Sequence, residues 1–176
     1  MKPNFLELLN TDSSRLTADI VTEAVENDPL GFEEIVNISL KAKPPVNWRA
    51  ARVVALAADE NHGLFVPYVN EIALRFPEFT CDGLKRSYAW LLAKYTRHLD
   101  NISQSVLIDV CFKYMMENEK PAVKYNCMKL LYEMSKVFPE LKVELAALID
   151  FNVTLGVFKM NGEVKKIYKT LELQIK

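Results

Sequence analysis

The sequence predicts an all-α chain built from stacked helical pairs. Three observations predict it. Apolar residues recur at helical spacing along nearly all of the 176 residues. Only five glycines occur, too few for the turns of a β-rich fold of this length. Three segments spaced about 40 residues apart repeat one another, which marks stacked supersecondary units.

The elements follow in order. An opening helix is expected from about Lys2 to Leu9. Asp12, Ser13 and Ser14 form a capping run, after which Leu16, Ile20 and Ala24 make one apolar face with Val21 and Val25 beside it. Asp28 and Pro29 punctuate the chain. The next helix puts Phe32, Ile35, Val36 and Leu40 on one side, and Pro44 and Pro45 stop it. Asn47 is the expected N-cap of a helix reaching Asn61. "LFVPYVNEIALRF" reads as the returning helix, with Pro67 in its first turn. "LKRSYAWLLAKY" ends near Tyr95, and "ISQSVLIDVCFKYMMEN" comes back. "AVKYNCMKLLYEMSKVF" and "ELKVELAALIDF" form another pair around Pro139. A loop from about Asn152 to Gly162 leads to "EVKKIYKTLELQI". About nine helices are expected, joined by short connections.

Three of these helices align: "WRAARVVALA" from Trp48, "LKRSYAWLLA" from Leu84 and "VKYNCMKLLY" from Val123. Trp48, Leu84 and Val123 coincide, as do Arg49, Lys85 and Lys124. Ala55, Leu91 and Leu130 coincide, and so do Leu56, Leu92 and Leu131. A large apolar residue, a basic residue and an apolar-Leu pair six and seven positions later make this pattern similar to the HEAT-repeat family over residues 12–150. The resemblance implies a right-handed α-α superhelix of about four helical pairs with a C-terminal capping helix. It divides the single domain into an acidic unit (1–45), three units (46–80, 81–119, 120–151) and a basic cap (152–176). First helices would form a convex layer and second helices a concave one. The pattern departs from the family three positions after the basic residue, where a small side chain is favoured: Arg52 and Tyr88 stand there, and only Cys127 is small.

Half the residues are apolar and 26% are charged, the range of a globular protein. The net charge of -1 lacks the basic surplus of proteins that live by holding phosphate backbones. The charge is uneven: residues 1–40 hold two basic and eight acidic side chains, and residues 159–176 hold five lysines and two glutamates. The acidic start and basic end could therefore meet head to tail between copies, or both could be solvated faces. The start carries no long apolar run, the apolar run Val53–Ala58 is far too short to span a bilayer, and three widely spaced cysteines fit reduced thiols. A cytoplasmic chain without membrane contact is expected.

No catalytic, cofactor-binding or metal-binding residues are expected. The glycines are scattered, which removes phosphate loops; no close Cys/His pairs exist for zinc; and no Gly-x-Ser-x-Gly elbow occurs. The loop of adenylosuccinate-lyase-type enzymes has no counterpart, so no lyase is expected. Glu33 with Glu34, and Asp59 with Glu60, are sequence neighbours that point about 100° apart on a helix and read as solvated charge. His62 and His98 fall at equivalent turns 36 residues apart. Stacked helices lie about 8–10 Å apart and metal–nitrogen bonds are about 2 Å, which disfavours a shared metal. Some similar HEAT-like proteins are alkyl-purine DNA glycosylases that place tryptophans against duplex DNA. Trp48 shares its position with Leu84 and Val123, so core packing accounts for it. Trp90 aligns with Val54 and Lys129, a partly exposed position.

The favoured function is a non-enzymatic protein–protein contact or scaffold module, with DNA repair as the alternative. On the helix from Ile102, one stripe contains Val106, Val110 and Tyr114, and another contains Ile108, Phe112 and Met116. Inter-repeat packing explains both; alternatively the second is a docking strip flanked by Asp109 and Lys113. Glu71 and Arg75 on the preceding second helix, and Glu140 and Glu144 on the following one, are the expected exposed polar residues. Arg52 and Trp90 are the positions that the repeat explains least.

Overall fold

The computed structural model describes residues 3–175. Among these residues the chain is all-α, with ten α-helices and no strand. They are α1 (Phe5–Thr11), α2 (Arg15–Val25), α3 (Pro29–Lys41), α4 (Val46–Glu60), α5 (Val69–Arg75), α6 (Asp82–Leu92), α7 (Asn101–Met116), α8 (Pro121–Met134), α9 (Leu141–Thr154) and α10 (Gly162–Ile175). The helices form two layers. In the first, α2 packs on α4, α4 on α6 and α6 on α8. In the second, α5 packs on α7 and α7 on α9. Helix α3 lies against α4 and begins the second layer, where Phe32 meets Tyr68 at a ring separation of 5.9 Å. Helix α10 packs on α9, and its first turn reaches α8 through Glu163 and Lys129, 3.2 Å apart.

Local chemistry sets several helix ends. The Ser14 hydroxyl accepts from the Thr17 amide, and the Asp28 and Asp100 carboxylates accept from the amides of Leu30 and Ser103, satisfying first-turn donors that have no helical partner. Proline opens α3 and α8, where a missing amide proton removes nothing. Gly156 lies just past the end of α9 at φ +72°, a conformation that side chains with a Cβ disfavour.

Four expectations change. Asn47 is not an N-cap: α4 starts one residue earlier, and the buried Asn47 side chain accepts from the Trp48 amide inside the first turn. The helix expected around Pro67 is broken into two 3-10 turns, His62–Leu64 and Val66–Tyr68, followed by the short α5. Helix α6 ends at Leu92, leaving Tyr95 in the turn. There its hydroxyl donates to the Ala58 and His62 carbonyls at 2.9 and 3.0 Å. On α2 the apolar stripe of Leu16, Ile20 and Ala24 faces outward, and Ala18, Val21, Thr22 and Val25 are the buried face. Two apolar stripes compete there, and the one with small Ala18 and Thr22 allows the closer approach to α4. The expected helix start at Lys2 lies outside the described residues.

The recurring basic residue is a structural tie in each repeat. Arg49 donates to the Leu9 carbonyl at 2.9 Å, at the end of α1. Lys85 pairs with Glu119 in the turn between α7 and α8. Lys124 donates to the Met115 carbonyl and the Asn152 amide oxygen, both at 3.0 Å, joining α7, α8 and α9. Burial holds the Lys124 ammonium below the ordinary lysine range. These cations hydrogen-bond backbone and side-chain oxygens at the seams between helices.

Candidate protein-contact surface

The outward face of the second layer is built from α5, α7 and α9. Helix α7 buries Leu107, Val110, Cys111, Phe112, Tyr114 and Met115, because it has neighbours on both flanks and the first layer beneath. Its solvent-facing row is Ile102, Ser105, Asp109, Lys113 and Met116, at the i, i+3, i+4 spacing of one helix face. Helix α9 is different. It is apolar nearly all round, yet its buried residues are Leu145, Ile149 and Asn152. Val143, Phe151 and Leu155 are 61%, 45% and 57% exposed, with exposed Ala147 completing the row. Exposed Glu140 and Glu144 stand beside it.

The positions singled out in the sequence fall as follows. Glu71 is exposed and lies 3.4 Å from half-buried Arg75 on the same helix. Asp109 and Lys113 are exposed and line a shallow depression with Pro77, Val106, Val110 and Tyr114. Lys113 also lies 3.9 Å from Glu117. Met116 is exposed, whereas Ile108 is half-buried against the core. Phe112 is buried, so it is a packing residue and leaves the docking strip: the flanking helices of the layer enclose it. On α9 the sequence reading singles out Glu140 and Glu144 and does not reach the apolar row beside them. A helix with apolar residues on every face was the available signal.

Arg52 is half-buried and donates to the Ser13 carbonyl at 3.3 Å, holding the turn before α2. That contact explains a long basic side chain where a small one is favoured. At the equivalent position Tyr88 is fully buried, and its hydroxyl bonds Ser39 of α3. Trp48 is half-buried, a correction to its reading as a core position. It packs on Gly83 of α6, where an added Cβ would come within 2.5 Å of the Trp48 Cβ.

A polar cleft opens on the other layer. It is lined by Trp90, Lys94, Arg97, His98, Lys129 and Glu163, among others. Lys94 lies 3.8 Å above the Trp90 ring and pairs with Asp59, so one face of the half-buried indole is already covered. Lys129 pairs with Glu163. The two histidines approach the Tyr95 ring, at centroid separations of 5.6 and 6.0 Å. Among the described residues no group of three or more His, Cys, Asp or Glu side chains is placed to hold a metal ion, and no helix is long and apolar enough to cross a membrane.

Two layers of helices, stacked through a recurring basic tie, meet a matching family model: the HEAT repeat domain, over residues 5–157. The chain belongs to the HEAT repeat domain family. Nothing among curated proteins or solved structures matches it. As in other helical-repeat families, each HEAT unit contacts mainly its neighbours and the stack offers an extended surface suited to protein partners. Helix α10 lies beyond the matched residues.

Proposed function

We propose that the protein is a non-enzymatic binding module that holds a protein partner on the outward face of α7 and α9. The observation that carries this reading is the exposed row of Val143, Phe151 and Leu155 on α9. Contiguous apolar side chains rimmed by charge are the usual composition of an interface core and its border. Glu140 and Glu144 stand beside this row, and exposed Asp109, Lys113 and Met116 lie on α7, the neighbouring helix of the layer. Glu71 and Arg75 extend the polar rim across α5. The partner would insert apolar anchors against α9 and set basic groups near the two glutamates. The three thiols are free, in keeping with a cytoplasmic setting.

Affinity capture from the native cell tests this. A Val143→Asp/Phe151→Asp chain with unchanged circular dichroism is expected to lose proteins that the wild type retains. Identical capture by both chains contradicts the proposal. Titration with duplex DNA tests the repair alternative. The expected result is no salt-dependent binding and no release of alkylated bases; tight binding that weakens steeply with salt overturns the protein-partner reading.

A further inference from the structure

The two ends of the stack carry opposite charges and unburied apolar residues. At one end, α2 has α4 as its neighbour in the first layer. It turns Leu16 and Ile20 outward at 69% and 50% exposure, interleaved with exposed Asp19 and Glu23. Asp19 is shared with Arg15 at 3.3 Å across solvent, an arrangement that holds little energy. At the other end, α10 buries Val164, Ile167 and Leu171. It exposes Lys165, Lys166 and Lys169 with one carboxylate, Glu172, among them, a net positive face, and Leu173 is 78% exposed. Terminal units of a stacked-repeat protein ordinarily present polar outer faces, because an apolar one invites another repeat. Here both terminal faces keep apolar side chains, and their charges are complementary.

We infer that the protein assembles head to tail with further copies of itself, α10 of one copy stacking on α2 of the next where another repeat would sit. Like ends do not fit: α2 against α2 brings carboxylates together, and α10 against α10 brings lysines together. The contact is therefore heterologous and leaves one free end on each side, so assembly grows with concentration instead of stopping at a symmetric dimer. The surface is separate from the α7–α9 face, so neither proposal depends on the other.

Sedimentation equilibrium of the whole chain tests the inference. At low salt the average mass is expected to rise steadily with protein concentration, and to fall as salt screens the charged contact. Reversing one end, with Asp19→Lys/Glu23→Lys or with Lys165→Glu/Lys169→Glu, is expected to give a monomer. Combining both reversals in one chain restores the complementarity, and with it the assembly. All these residues are exposed, and circular dichroism reports folding. A chain that stays monomeric at every concentration at low salt overturns the inference. So does a dimer of fixed size, or assembly that ignores either reversal.

Discussion

Lys124 is buried without a carboxylate in direct contact, held by the Met115 carbonyl and the Asn152 amide oxygen. Lys124→Ala removes the cation and its stem, leaving a cavity and an unpaired buried oxygen, and is expected to cost about 3 kcal/mol in urea unfolding. Lys124→Met keeps the stem and is expected to cost less; equal losses would mean that the hydrogen bonds alone matter. Gly83→Ala drives a methyl against Trp48. It is expected to lower stability by about 1–2 kcal/mol despite the better helix propensity of alanine, and an unchanged or higher Tm would show that α4 and α6 can part without loss. Burial pushes the hydroxyl groups of Tyr95 and Tyr114 up to about 12. Their contribution to stability is intact below pH 10 and is lost as pH rises through 12, because the unfolded chain ionises first. The urea midpoint is thus expected to hold up to about pH 10 and to drop between about pH 10 and about pH 12, and a flat profile would contradict the shifts. At this scale the recurring basic residue was readable from Arg49, Lys85 and Lys124 in register. Its partners were not, because Leu9, Glu119 and Asn152 come from segments that only stacking brings close.

Helices α7 and α9 look alike in sequence and differ in neighbours. Phe112→Asp would bury a charge and is expected to cost about 4 kcal/mol or more, preventing stable folding. Phe151→Asp lies on the exposed row and is expected to shift stability by only about 0.5 kcal/mol. Thermal melts of the two variants check the contrast, and similar losses would place Phe151 in the core. The same pair shows why helix existence was legible and helix faces were not. Periodicity marks an apolar stripe, but two stripes on α2, and apolar residues on all sides of α9, leave the choice to the neighbouring helices. Boundaries failed where backbone chemistry overrode periodicity, as at Pro67, which divides an apparently continuous helix.

For the whole molecule, the all-α architecture followed from the glycine count and the helical spacing, and the family from the threefold register of Trp48, Leu84 and Val123. The proposed contact face did not follow, because it depends on which residues the two layers leave uncovered. The central claim is that a protein partner docks on α7 and α9 and not on the Trp90 cleft. Isothermal titration of a purified captured partner against three folded chains tests it most directly. Phe151→Asp is expected to weaken binding tenfold or more, the loss of about 1.4 kcal/mol that marks an anchor, and Arg97→Glu in the cleft is expected to change it less than about twofold. Strong loss with Arg97→Glu and none with Phe151→Asp would contradict the account.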